Sequence, residues 1–337
     1  MLKKPNKTLK QLNEIVENKI VETTQYAETK NAIDSMTHFA GVKSIGMMIL
    51  GETGLGKSTV LDKFVTNNLD SITESVLASV DYDFTPIPII KFKMPVKPTV
   101  ISVCEMILSE ADHLDLTGTA SALTRRVDKL FKNQMVQYLI IDECQHLLRE
   151  HAGTTTTTVL NFIKNLMNEH KIIVIVAGIP TAEKALTKYK ELEERLSYKK
   201  CYITEFEINS VSGEENFGSF LIGFDQLFIS NDLNICTLYD GDMFDRIFLA
   251  CAGSPRIFKY LIFKVLELGQ KLDFENKITK QMFAKAYTNE ALNKDIGNFN
   301  PFSAKFEKVK VKLKEWDNIK LETHKALLKN NSKKHGK

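Results

Sequence analysis

The chain lacks the marks of a secreted, disulfide-bonded or membrane protein. Its 337 residues contain five cysteines, Cys104, Cys144, Cys201, Cys236 and Cys251, odd in number and nowhere in a C-x-x-C pair. That spacing suggests neither a zinc site nor a disulfide framework. Four of the five sit beside apolar neighbours and read as small buried hydrophobes in a reducing compartment. The longest apolar run, residues 172–180, falls far short of the roughly 20 residues that cross a bilayer. Met1-Leu2-Lys3-Lys4-Pro5 is not the start of an apolar signal sequence. A soluble, cytoplasmic protein without membrane partners is expected. There are no internal repeats, and the only low-complexity run is Thr154–Thr158, read as a threonine-rich loop and helix cap. A net charge of +3 excludes a molecule basic all over. The charge is uneven, however. Residues 305–337 hold 11 lysines against 4 acidic residues, a local +7 that leaves −4 for the rest. Such a basic tail reads as a solvated or partner-binding arm.

What is present is more specific. Gly51-Glu52-Thr53-Gly54-Leu55-Gly56-Lys57-Ser58 fits G-x-x-x-x-G-K-[ST], the phosphate-binding loop of nucleoside triphosphatases. An apolar run, Ile45–Leu50, precedes it and reads as a buried strand; a helix follows from Ser58. Glycines let backbone N–H groups face an anion without a side-chain clash. The helix that starts there adds its positive end. Lys57 is expected to reach the β- and γ-phosphates, Ser58 to hold Mg²⁺, and Thr59 to bind the nucleotide from the same first turn. The competing reading is a glycine-rich turn with no ligand.

The second half of such a site is also visible. Tyr138-Leu139-Ile140-Ile141-Asp142-Glu143 is an apolar strand that ends in two acids. Carboxylates at the carboxyl end of a buried strand point into the crevice where ligands bind. Asp142 is expected to hold Mg²⁺, directly or through water. Glu143 is expected to orient and deprotonate the attacking water. Guanine recognition commonly uses N-K-x-D; Asn293-Lys294-Asp295-Ile296 misses that spacing, so ATP is the expected nucleotide. His146, His151 and His170 have no spacing that makes them a metal set, and His146 reads as a core residue or a support to the site.

Periodicity organises the rest. Residues 7–36 carry apolar positions at helical spacing. Strands are predicted at 45–50, 87–92, 138–142, 172–177 and 201–208. Between them lie predicted helices at 99–111, 120–132 and 159–168. This alternation predicts a parallel sheet with helices on both faces. Beyond residue 210 only helices are predicted, at 217–228, 243–252, 255–268 and 280–287. The expected division is an N-terminal helical extension (1–40), an αβ nucleotide-binding core (41–208), a small helical domain (209–291) and a basic tail (292–337).

Several stretches together resemble one family. They are Gly46-Met47-Met48-Ile49-Leu50 before the phosphate loop, Lys93-Met94-Pro95-Val96-Lys97-Pro98-Thr99, and Ile141-Asp142-Glu143-Cys144-Gln145-His146-Leu147-Leu148. Asn165-Leu166-Met167-Asn168-Glu169, Glu194-Arg195-Leu196, Gly253-Ser254-Pro255-Arg256-Ile257 and Asn300-Pro301-Phe302 follow in order. The chain resembles the AAA+ ATPases, and within them the TnsC/TniB transposition regulators of bacterial Tn-type elements, over roughly residues 35–302. The resemblance implies an AAA+ (ASCE P-loop) fold whose trailing helices act as a lid. It also implies an ATP-dependent ring or filament of this protein on double-stranded DNA, with transposase subunits and a TniQ-type targeting protein as partners. The length is compatible with a compact member, CRISPR-linked or not. Arg195 matches the finger that reaches a neighbouring protomer's γ-phosphate. Arg256 matches the lid sensor. Gly178-Ile179-Pro180-Thr181 departs from the family's Gly-Thr pattern, and Thr181 is the substitute for the other sensor. Family members grip the DNA backbone between the phosphate loop and the metal strand. There Lys97 and Arg126 are the first candidates, with Lys93 and Thr119 beside them. Trp316, among lysines and leucines, marks a docking helix in the tail.

Two other readings stay open. One is a helicase loader or initiator-like AAA+ protein, although no recognition helix is evident after residue 300. The other is an ATP-gated scaffold with negligible turnover, which the presence of Glu143 disfavours.

Overall fold

The computed structural model describes residues 7–79, 85–113, 115–148, 153–186, 189–271, 277–289 and 292–318. Two helices open the chain, α1 (Leu9–Asn18) and α2 (Thr24–Asp34). Then come β1 (Ile45–Leu50), α3 (Lys57–Leu77), β2 (Ile89–Lys93), α4 (Val100–Glu110), α5 (Ala120–Asn133), β3 (Tyr138–Asp142) and α6 (Gly153–His170). They are followed by β4 (Ile173–Gly178), α7 (Thr181–Leu186), α8 (Lys190–Leu196) and β5 (Lys199–Tyr202). The remaining elements are helical: α9 (Val211–Ser230), α10 (Met243–Cys251), α11 (Pro255–Lys271), α12 (Lys280–Asn289) and α13 over 306–318. The chain divides into two compact units. Thr24–Thr204 form one; the other joins the described residues of 1–23 to those from 205 onward.

The first unit is built on a five-stranded sheet in the order β2-β3-β4-β1-β5, every pair parallel. β1, β3 and β4 are buried along their whole length, which is why they read as unbroken apolar runs. Successive side chains face opposite sides. Met48, Leu50, Leu139, Ile141, Val174 and Val176 enter a core with α4, α5 and α6. Met47, Ile49, Tyr138, Ile140, Ile173 and Ile175 enter the core on the other face with α2 and α3. β5 forms an edge and carries Lys199 and Lys200, charges that discourage pairing with another sheet.

The last strand is shorter and earlier than the predicted 201–208. Ile203 N still donates to Leu50 O at 2.7 Å, but Phe206 N donates to Gly253 O at 2.9 Å in the helical unit. Ile203 therefore still belongs to the sheet's core, whereas Phe206 and Ile208 of the alternating pattern pack against the helical one. Thr154–Thr158 lies inside α6 rather than in a loop, and the buried Thr156 donates its hydroxyl to Leu147 O at 3.0 Å.

The helical unit is held by aromatic packing. Phe217, Phe220, Phe224 and Phe228 recur at helical spacing along one face of α9. Phe217 meets Phe248 of α10 edge-on at 5.2 Å, and Phe224 meets Phe258 of α11 at 4.9 Å. The stretch expected as one N-terminal extension is shared between the units. Leu12 and Val16 of α1 are buried in this aromatic core, whereas Ala32 and Ile33 of α2 pack under the sheet. Trp316, expected on a docking face, is 5% exposed and stands edge-on to Phe248 at 5.4 Å. A large indole gains more by burial than by solvation, so α13 turns it inward.

Candidate nucleotide-binding site

The site forms where β1 ends. Gly51 N donates to Gly178 O at 3.1 Å, and this prolongs the sheet by one step. A Cβ on Gly51 would lie 2.3 Å from the Ile203 carbonyl oxygen, so only glycine fits this approach. The loop then turns through two left-handed glycines, Gly54 at φ 87° and Gly56 at φ 97°, a conformation that costs other residues strain. Glu52, Thr53 and Leu55 complete the loop, and α3 opens at Lys57 with its free N–H groups toward the loop.

Lys57 is buried and curls over the loop, its Nζ donating to Gly51 O at 2.8 Å and to Glu52 O at 2.9 Å. Burial holds its ammonium below the usual lysine range, and Asp142, Glu143 and Glu52 pull the other way. Ser58 Oγ donates to Asp142 Oδ2 at 2.6 Å. Asp142 is 1% exposed, and its other oxygen accepts from Glu143 N at 2.8 Å. A hydroxyl and a carboxylate oxygen in contact, beside a lysine and a glycine cradle, are the hard donors that Mg²⁺ takes. The residues present therefore fit a magnesium–triphosphate.

Glu143 is a non-glycine residue at φ 56°, a region that stores strain. Its amide is pinned by Asp142 and its carboxylate by Gln145, whose Nε2 donates to Glu143 Oε2. Sequence reasoning quoted Gln145 only as part of a motif and gave it no role. Cys144 beneath is fully buried, and burial, with Asp142 and Glu143 close by, pushes its thiol up to about 12. It is a packing residue. His146 is half-buried in the short turn Cys144–Leu148; His151 lies outside the described residues. His170 pairs with Asp128 of α5 at 2.8 Å. Glu169 stands close enough for the three ligand atoms to lie within 4.8 Å of one another, a proximity no sequence spacing announced.

The other expected residues scatter. Thr59 is half-buried in the first turn of α3. Thr181 is exposed at the start of α7, one residue past Pro180. Arg195 lies on α8 and borders a cavity of about 420 Å³ with Lys43, Ser44, Ile45, Glu191 and Tyr198. Ile45 is the first residue of β1, so Arg195 sits at the opposite end of that strand from the phosphate loop. At about 3.3 Å per residue, roughly 17 Å of strand separate the two ends. Arg256 is exposed in the first turn of α11, in the helical unit. Lys93 and Lys97 are exposed at and after the end of β2, where Lys93 is level with Asp142 in the sheet register. Thr119 caps α5, accepting from Ala122 N at 3.3 Å. Arg126 is committed within the molecule. It pairs with the Asp115 carboxylate at 2.8 Å and donates to Thr117 O at 2.6 Å.

The family model described as bacterial TniB protein matches residues 11–204, more than half of the chain. The chain belongs to the TniB family. The match begins within α1 and runs through the whole αβ unit, so of the candidate nucleotide- and DNA-site residues it leaves out only Arg256. Among curated proteins none matches this chain. Solved structures share its fold at low identity. Cdc6p from Pyrobaculum aerophilum is similar with a TM-score of 0.60 at 11% identity, over 85% of this chain and 74% of that one. Aeropyrum pernix ORC1, solved in complex with DNA, gives 0.59 at 14% identity over 82% and 69%. Aeropyrum pernix ORC2, solved in ADPNP–ADP complexes, gives 0.56 at 13% identity over 81% and 70%. With the family and the five-stranded parallel sheet in hand, the chain is an AAA+ ATPase. Among the described residues no helix is long and apolar enough to cross a membrane.

Proposed function

We propose that this TniB-family ATPase regulates DNA transposition by assembling head to tail on double-stranded DNA in an ATP-controlled way. The assembly marks a target with a TniQ-type targeting protein as partner, recruits transposase subunits, and is limited by hydrolysis. The observation that carries this reading is the position of Arg195. It lies at the far end of β1 from its own phosphate loop, beside an open cavity, a position that suits service to a triphosphate bound by another copy. Lys57 and the loop amides bind the phosphates, and Ser58 and Asp142 would hold Mg²⁺, which would supply charge neutralisation for the transfer. Glu143 takes the proton of the attacking water. A neighbour's Arg195 offsets the charge that develops at transfer. Arg256 in the helical unit and Thr181 after β4 report the nucleotide state.

DNA association is supported by family membership and by the solved DNA complex of the similar ORC1. Lys93 and Lys97 are the exposed cations suited to phosphate contact. Arg126 and Thr119, already engaged at the start of α5, are better suited to shaping the neighbouring loop. The likeness to ORC and Cdc6 proteins also suits an initiator or helicase loader. Capture of transposase rather than helicase on ATP-bound DNA assemblies separates the two.

The test is complementation. Lys57→Ala and Arg195→Ala are each expected to abolish turnover alone. Mixed in equal amounts, they pair an intact loop with an intact arginine at about a quarter of heterologous interfaces, and activity returns to that extent. A mixture as inactive as its parts would refute the shared site. A wild-type protein no faster than Glu143→Gln would leave a nucleotide-gated scaffold instead.

A further inference from the structure

Gln145 makes a hydrogen-bonded bridge that nothing in the phosphate-binding motif requires. Its Nε2 donates to the Glu143 carboxylate, and its Oε1 accepts from Ile179 N at 3.3 Å. One amide thus joins Glu143 after β3 to the first residue beyond β4. The approach is built into the strand end. A Cβ on Gly178 would lie 2.9 Å from Gln145 Oε1 and 2.5 Å from Cys144 Sγ. A side chain there would displace the bridge. The amide is also the right group chemically. Its NH₂ meets the acceptor-only carboxylate, and its oxygen meets a backbone donor; a carboxylate or a cation could satisfy only one of them.

We propose that Gln145 is a positioning residue that fixes the Glu143 carboxylate for water activation and ties its orientation to the segment leaving β4. This deepens the ATPase reading and rests on it. Glu143 has a strained backbone and a half-exposed side chain, so its carboxylate is free to swing unless tethered. A general base acts only within hydrogen-bond reach of the proton it takes, and misplacement of about 1 Å costs on the order of a hundredfold. The segment 178–181, which ends in Thr181, is the other anchor. A shift of that segment is passed to Glu143 through a single side chain.

The experiment compares Gln145→Met with Gln145→Ala. Methionine keeps the length and apolar packing of glutamine but loses both hydrogen bonds. Both variants should lower kcat by about tenfold to a hundredfold, leave KM within about twofold, and bind a non-hydrolysable ATP analogue as the wild type does. This is the pattern of an interaction used in the transition state and not in binding. In a Glu143→Gln background, Gln145→Met should cost nothing further, because the two residues act as a unit. A Gln145→Met variant with wild-type kcat would overturn the inference and leave the ATPase standing. So would a matched loss of analogue binding, or a loss additive with Glu143→Gln. A wild type that binds ATP but does not turn it over would overturn both.

Discussion

Replacing Arg246 with methionine should undock the C-terminal helix α13. Arg246 is 2% exposed and lies on α10 between two partners. Its Nε and Nη2 donate to Asp242 Oδ2 at 2.8 and 2.5 Å. Its Nη1 donates to Pro301 O and, at 2.8 Å, to Ala304 O, just before α13. The guanidinium also lies 5.8 Å from the centre of the Phe306 ring. Removing one member of a buried ion pair costs about 3–5 kcal/mol. Lys280 remains 3.3 Å from Asp242 and still balances its charge, which places the cost at the low end, about 3 kcal/mol, or roughly a hundredfold in the docking equilibrium. For a unit of this size the melting temperature should fall by about 6–12 °C. The chain's one tryptophan reports the event, because Trp316 is buried against Phe248. Wild-type emission should be blue-shifted and protected from acrylamide; the variant should be red-shifted and quenched. The link has a pH signature. Burial works to raise the Asp242 carboxyl, but its bonds and charge contacts with Arg246 and Lys280 more than offset this and hold it below its ordinary 3.8. A carboxyl with a folded pKa below the unfolded one stabilises above the unfolded value and loses that contribution as pH falls through the folded value. Wild-type Trp316 should therefore stay protected down to about pH 4 and become exposed only in stronger acid. Equal melting temperatures and equal quenching in the two proteins would refute this account of α13.

Gly51→Ala should destabilise the αβ unit by about 2 kcal/mol, because the added carbon meets a backbone oxygen that cannot rotate away. It should also weaken ATP binding at least tenfold, by displacing the carbonyl that holds Lys57. A denaturant melt and a nucleotide titration measure the two effects, and wild-type values in both would show that the close approach is not enforced. Lys93→Glu and Lys97→Glu should each weaken DNA binding at every sequence and lower the salt slope by about one. Arg126→Ala should leave the slope unchanged while loosening the 115–118 loop. The opposite ranking would move the DNA contact to α5.

The legible part of the site is the part whose reasons are local. A phosphate loop needs glycines and a lysine in consecutive positions, and a buried parallel strand must be apolar throughout. β1, β3, β4 and the Asp142–Glu143 pair therefore stood out. What sequence hid depended on distant partners. Nothing near Arg126 says that Asp115, eleven residues earlier, takes its charge. Nothing near Gln145 says that its second bond lies at Ile179. The basic composition around Trp316 described the exposed side of α13 and concealed the face that meets Phe248. The last turns of α3, which runs to Leu77, are mostly polar. Their helical form follows from an uninterrupted run without glycine or proline more than from an apolar stripe. The N-terminal residues look like one amphipathic stretch because both halves bury apolar side chains. Only packing shows that α1 and α2 do so in different cores.

On the proposed reading, the geometry also explains why nucleotide and assembly should be inseparable. Each protomer carries a phosphate loop at one end of β1 and an arginine at the other, so no single copy completes a catalytic site. Such an interface is heterologous, and repetition yields a ring if the rotation closes or a filament if it does not. Bound triphosphate favours the assembled state by mass action, because the neighbour's arginine gains a partner only when the γ-phosphate is present. Hydrolysis removes that partner and weakens the same interface. The bridge from Glu143 through Gln145 to the end of β4 then matters beyond catalysis. Any strain that assembly places on the segment 178–181 reaches the general base directly, so the assembly's geometry sets the rate at which it dismantles itself.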